Sequence, residues 1–204
     1  MLQPPVGAPA DLVVGAGYVR AAADFATTLV MIGYPREMWP GWLEPLTGLP
    51  FPVAVSVHVD ALDPITAGSR LRRRLARLES GLRSDTEHGR LRDPYAEAAA
   101  EDAYLLADRI ARGEARLYTV GLSITVHARN EPLLTQRVQQ VRALAAGLLL
   151  DARPTTYRAL AGWVTGLPIG VDRLGQQRSF DTDALAAAFP MACADLPEIG
   201  RAHV

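Results

Sequence analysis

The sequence predicts an α+β fold. Three observations carry this: two segments alternate apolar and polar residues with the period of a strand, three segments carry apolar residues at helical spacing, and the two consecutive helices lie between the strands. A helical hairpin returns the chain to the end it left, so its flanking strands become antiparallel neighbours. The expected architecture is a mostly antiparallel sheet with the helical hairpin and a third helix on one face. An N-terminal β-hairpin precedes it, and an irregular C-terminal connector follows.

Each element has its own signal. Residues 1–10 hold three prolines and read as a flexible lead-in. The β-hairpin takes Tyr18–Ala21 as its first arm, Ala22–Phe25 as its turn and Thr27–Tyr34, rich in β-formers, as its second arm. Pro35, Pro40, Gly41 and Pro50 then punctuate a connection with one helical turn at Trp42–Leu46. Over Val53–Asp60, four valines (Val53, Val55, Val57, Val59) face one way and Ala54, Ser56, His58 and Asp60 the other. Asp63-Pro64 starts a helix, with the carboxylate as cap and proline at the first helical position, where no N–H is needed. Leu71, Leu75, Leu78 and Leu82 form its apolar stripe, and Gly89 is its expected stop. Asp93-Pro94 repeats the start signal for a helix reaching about Arg112, with Leu106 and Ile110 buried and Gly113 at its end.

Arg116–Ala128 alternates again: Tyr118, Val120, Leu122, Ile124 and Val126 oppose Thr119, Ser123, Thr125 and His127. Asn130 caps a third helix with Leu134, Val138, Val141, Ala145 and Leu148 on one stripe. Beyond Arg153-Pro154 the pattern weakens to a short helix at Tyr157–Val164 and a helical turn at Thr182–Ala188. The expected organisation is a lead-in over 1–10, an α+β domain over 11–152 and a connector over 153–198.

The chain has 204 residues, 49% hydrophobic and 21% charged, with a formal net charge of −1. That is ordinary globular composition, and it supplies no global field for nucleic acid or an anionic membrane. All 21 cationic side chains in the Lys plus Arg count are arginine. A chain without lysine has no phosphate-loop lysine, no Schiff-base lysine and no kinase lysine. The one cysteine, Cys193, cannot form an internal disulfide, which fits a cytosolic setting. Residues 1–10 lack a signal peptide's basic and apolar regions, and no apolar run approaches the ~18 residues a bilayer span needs.

Four features invite a functional reading. Gly15-Ala16-Gly17 approximates a dinucleotide fingerprint, but Arg20 stands where a third small residue belongs and a strand follows in place of a helix. An oxidoreductase using flavin or nicotinamide is therefore a remote alternative. His58, His88, His127 and His203 have no metal-ligand spacing. In antiparallel strands His58 and His127 fall at opposite ends of the sheet. Arg70, Arg73, Arg74 and Arg77 recur at i, i+3, i+4 and i+7, a basic stripe apart from the leucines. They are the candidate partner-docking residues. Glu97, Glu101 and Asp108 form an acidic stripe on the next helix and could meet them. The alternative is a free-standing adaptor that binds acidic protein or lipid through this basic helix.

Five segments taken in order carry a family resemblance. They are Gly33 to Leu43 (GYPREMWPGWL), Gly89 to Pro94 (GRLRDP), Ala99 to Asp102 (AAED), Thr125 to Arg129 (TVHAR) and Ser179 to Pro190 (SFDTDALAAAFP). Together they resemble the N-terminal region of the large conjugal-transfer ATPases of type IV secretion, the TraC-like or VirB-type class. The resemblance spans about residues 11 to 198. Met191 departs from it, standing where a second aromatic is expected.

The resemblance implies a docking and assembly role for a non-catalytic region. The expected partners are its own C-terminal motor domain, other copies of itself and inner-membrane components of a secretion channel. It implies a cytoplasmic location, peripheral at the inner face of the membrane, with no direct contact to nucleic acid. ATP and Mg²⁺ belong to the motor that follows in that family, so no cofactor and no catalytic residue is expected in these residues. The last six residues, Ile199 to Val204, match one reading frame of a sequencing-library adapter, so 199–204 is expected to be adapter read-through and the native sequence to end near Glu198.

Overall fold

A computed structural model describes residues 11–88 and 93–189. The lead-in, Gly89, Cys193, Met191, His203 and the adapter-like end lie outside the described residues. The elements are β1 (Leu12–Val14), β2 (Val19–Ala21), β3 (Asp24–Gly33), α1 (Glu44–Thr47), β4 (Val53–Ala61), α2 (Pro64–Glu87) and α3 (Pro94–Ala111). They continue as β5 (Leu117–Ala128), α4 (Glu131–Gly147), β6 (Asp151–Pro154), α5 (Ala159–Thr165), β7 (Arg178–Asp181) and α6 (Thr182–Ala187). The fold is α+β, with the N-terminal β-hairpin in place.

The helix starts follow the local chemistry. Asp63 Oδ1 accepts from the backbone N–H of Ile65 at 3.0 Å and of Thr66 at 2.9 Å. Hydrogen bonds from Thr66, its side chain first, hold the Asp63 carboxyl below its ordinary range. Asp93 accepts from Tyr95 N–H, and Asn130 from Leu133 N–H, each at 2.9 Å. All three caps satisfy donors that the first helical turn leaves without partners.

The chain divides into two compact units. The first holds residues 11–59, 120–178 and 186–189 of the described chain. Its central strand is β3. One edge of β3 pairs antiparallel with β5, from Phe25 opposite Ala128 to Val30 opposite Ser123. The other edge pairs first with β2 and then with β6. Both β5 and β6 run antiparallel to β3, so they are parallel to each other, and α4 makes the crossover between them. Its buried residues Leu134, Val141 and Ala145 meet the face that carries Leu29, Met31, Ile124 and Val126. Trp42, Leu43 and Leu46, all 1% exposed or less, extend this core beside α4.

The opposite face carries the polar half of the alternation and is buried as well: Thr28, Ser123 and Thr125 are each 3% exposed or less. The cover is α5. Gly162 sits so close that a Cβ there would lie 2.5 Å from Thr155 Oγ1 and 2.9 Å from Thr28 Cβ. A Cβ on Gly166 would lie 2.4 Å from Thr125 Oγ1. The threonine hydroxyls offset their burial by pairing: Thr28 with Thr125 at 3.0 Å, and Thr155 onto the Thr28 carbonyl at 3.1 Å, while Ser123 Oγ is buried without a partner among the described residues. The segment expected to be an irregular connector therefore supplies a helix to this face. It also supplies two strands, since β6 pairs with β3 and β7 pairs with β5.

The second unit holds residues 60–88 and 93–119 of the described chain, with 179–185. Here α2 and α3 form the expected hairpin. The Tyr104 hydroxyl donates to Glu79 Oε1 across it. Ala100 and Ala103 are buried on α3, whereas Leu106 and Ile110 are half-buried. Arg109 bridges Asp183 at 2.9 Å and Asp181 at 3.8 Å, and Arg116 N–H donates to Thr182 Oγ1 at 3.0 Å, fixing α6.

The α5 seat makes one substitution decisive. Gly162→Ala is expected to destabilise the chain by about 1–3 kcal/mol through overpacking. Gly81→Ala on α2, where an added Cβ meets nothing within 4 Å, is expected to stabilise it by about 0.5–1 kcal/mol. Urea denaturation of the two variants checks the opposite signs.

Candidate functional site

The strongest chemical feature is the basic face of α2. A helix advances 100° per residue, so positions i, i+3, i+4 and i+7 share one side. Arg70, Arg73, Arg74 and Arg77 are all exposed there. With Leu78 they line a groove of about 470 Å³. None of the four makes a hydrogen bond or ion pair among the described residues. Their neighbours on the helix are engaged: Arg72 reaches Ser69 Oγ at 3.4 Å and Arg83 lies 3.8 Å from Glu79.

The acidic stripe of α3 does not neutralise them. Asp108 pairs with Arg112 of its own helix at 2.6 Å, and no ion pair joins Glu97 or Glu101 to the four arginines. Like charges one turn apart destabilise a helix by a few tenths of a kcal/mol each. The stripe thus costs α2 some intrinsic stability without a compensating partner among the described residues. Each guanidinium presents a planar fork that matches a carboxylate or a phosphate in two parallel hydrogen bonds.

The other sequence candidates take ordinary structural places. Gly15-Ala16-Gly17 turns β1 into antiparallel β2, closed by Gly15 N–H onto the Tyr18 carbonyl at 2.8 Å. No helix opens at Tyr18, so these glycines do not build a phosphate-cradling turn of the dinucleotide type. A Cβ on Gly15 would lie 2.8 Å from the Tyr18 ring, which accounts for the glycine without a ligand.

His58 Nε2 lies 2.9 Å from the Thr165 carbonyl. The backbone N–H of His127 reaches the Pro52 carbonyl at 3.2 Å, so the two histidines are separated by roughly 20 Å of strand. His88 Nδ1 lies 2.7 Å from the Ser84 carbonyl. No group of three metal-ligating side chains occurs among the described residues. Among the same residues, no helix is long and apolar enough to cross a membrane. Toward the C-terminal end of the described residues, Ile169 and Phe189 are 57% and 62% exposed.

The chain matches no protein-family model and no curated protein. Its chemistry is therefore read from its own residues.

Sequence reasoning found the arginine stripe but missed the seat of α5. The signal was present: Gly162 and Gly166 are one turn apart on a helix, and small residues at that spacing allow a close approach. It was obscured because the alternation of β5 marks a polar face without showing what covers it.

His127 gives this region a pH dependence. Burial holds its imidazole below the ordinary value, and Asp24 opposes that only in part. The unfolded chain takes up the proton near pH 6.5, whereas the folded chain resists it. The stability from this group is therefore complete above about pH 6.5 and is lost as pH falls through the lowered native value. The urea midpoint is expected to drop between pH 7.5 and 5.5, and His127→Gln to lessen that drop.

Proposed function

We propose that this chain is the N-terminal docking and assembly region of a conjugal-transfer ATPase of the TraC-like or VirB-type class, itself non-catalytic. One observation carries the docking role: four exposed arginines on one helix face, lining one groove, with no partner among the described residues. A stripe that weakens its own helix is accounted for by an anionic partner outside the chain. The ordered segments from Gly33 to Pro190 supply the family, and the lack of lysine agrees with a region that leaves phosphate chemistry to a following motor. The exposed Ile169 and Phe189 offer apolar surface on the side where that motor would follow.

In this reading the partners are the motor domain, other copies and inner-membrane components of the secretion channel, at the cytoplasmic face of the membrane. ATP and Mg²⁺ are bound by the motor. A free-standing adaptor, binding acidic protein or lipid through the same stripe, is the second reading. The uninterrupted gene separates the two, because only the first requires a glycine-rich loop ending in Lys-Ser or Lys-Thr downstream.

The purified 204-residue chain is expected to show no Mg²⁺-dependent ATP hydrolysis. It is expected to co-sediment with inner-membrane vesicles carrying the secretion channel. Reversing Arg70, Arg73, Arg74 and Arg77 to Glu is expected to weaken co-sedimentation at least about tenfold, since each contact to an anionic surface is worth about 1 kcal/mol. ATP turnover by this chain, or undiminished co-sedimentation of the reversed variant, overturns the proposal.

A further inference from the structure

The sheet ends in β4, and the register of β4 on β5 decides which of its backbone groups are left over. Pro52 accepts from His127 N–H at 3.2 Å, and Leu62 N–H donates to the Leu117 carbonyl at 3.0 Å. Both bonds belong to one antiparallel register. In such a ladder a residue turns its N–H and C=O to the same side, and successive residues alternate. Ala54, Ser56, His58 and Asp60 therefore point their backbone groups at β5. Those of Val53, Val55, Val57, Val59 and Ala61 point outward, where no further strand pairs with β4 among the described residues.

Other strands near the margins are short: β1 has three residues, and β6 and β7 four each. β4 has nine. It carries none of the usual devices that blunt an edge. It holds no proline and no cationic residue, and its single charge, Asp60, is near its end. One face of the strand is already engaged by the end of α5, through Ser56 Oγ onto the Gly166 carbonyl at 3.3 Å and His58 onto the Thr165 carbonyl. The outer rim is what remains open.

We infer that β4 is a self-pairing edge, whose occupant is β4 of a second copy of this chain. The argument is the symmetry of the strand about Val57. Placing a two-fold axis there sets Val57 opposite Val57 of the second copy, Val55 opposite Val59, and Val53 opposite Ala61. These are the outward-pointing residues, so every outward N–H meets an outward C=O. On one face the central pairs, Val57 with Val57 and Val55 with Val59, set β-branched residue against β-branched residue, a favourable cross-strand combination, and Val53 meets Ala61 at the ends. On the other, Ser56 lies opposite His58. A slip of the pairing by one residue, which puts the axis midway between two residues, would set outward groups against inward ones and lose the ladder. The resulting interface is isologous and closes as a dimer. It is independent of the arginine stripe and of the family reading.

The test uses the full 204-residue chain and Val57→Pro. Proline removes the outward N–H of Val57 while leaving the inward ladder to β5 intact, as edge strands allow. The wild-type chain is expected to show a concentration-dependent dimer by sedimentation equilibrium. Val57→Pro is expected to raise the dissociation constant at least about tenfold with an unchanged circular dichroism spectrum. Hydrogen exchange on the wild-type chain gives a reading that needs no variant. The amides of Val55, Val57 and Val59 are expected to exchange fast when dilute and to become protected as the dimer forms. A chain that stays monomeric at high concentration overturns the inference, as does a dimer in which these amides remain fast. So does protection of these amides at every concentration, which would mean another part of the same chain covers the edge.

Discussion

The first unit depends on how closely α5 approaches the sheet. A sheet face that carries Thr28 and Thr125 would ordinarily be left to water. Here it is roofed, and the roof fits because Gly162 and Gly166 remove the side chains that would hold it off. Burial then demands that each hydroxyl find a partner, since an unpaired one costs about 1–3 kcal/mol. Thr28, Thr125 and Thr155 answer that demand among themselves and through the Thr28 carbonyl. The same contact tethers β6 to β3, because Thr155 N–H also donates to that carbonyl at 3.0 Å. A helix on each face gives β3 its burial from Ala26 to Met31.

Local chemistry made much of this legible beforehand. Asp63, Asp93 and Asn130 each announce a helix start through a side chain that reaches only two or three residues ahead, and all three caps are present. The alternation of Val53–Asp60 and Arg116–Ala128 placed two strands for the same reason: period two is a property of the strand itself. What alternation does not encode is whether a polar face will be covered. That is decided by a helix more than thirty residues downstream, so the alternation put Thr125 on the polar face without showing that the face is covered. The β6 and β7 strands were missed because four residues are too few for periodicity to register. At the candidate site, the spacing of Arg70 to Arg77 put them on one face correctly. Whether they would meet Glu97 and Asp108 required knowing that Asp108 turns to Arg112.

The functional reading rests on a contrast within one molecule. Arg109 is committed to Asp181 and Asp183, and Arg178 to the Ile32 carbonyl at 2.8 Å. These arginines are structural, holding a short helix and a strand in place. The four on α2 pair with nothing among the described residues. Their planar, permanently charged heads suit recognition of anionic surfaces, and at physiological salt their field reaches only about 8 Å. Such a stripe acts on a partner already close, which suits a module that docks within an assembly more than one that captures a distant ligand.

The pairing of β3 has a consequence in time. Thr28 waits for a partner 97 positions later and for another 127 positions later. During synthesis the N-terminal hairpin therefore emerges long before the strands that bury it. Its apolar residues, from Leu29 to Met31, spend that interval without a core. Folding dominated by such distant contacts is slow, because loop closure must be achieved before any contact repays it. The central strand of this sheet is thus made well before the elements that shelter it.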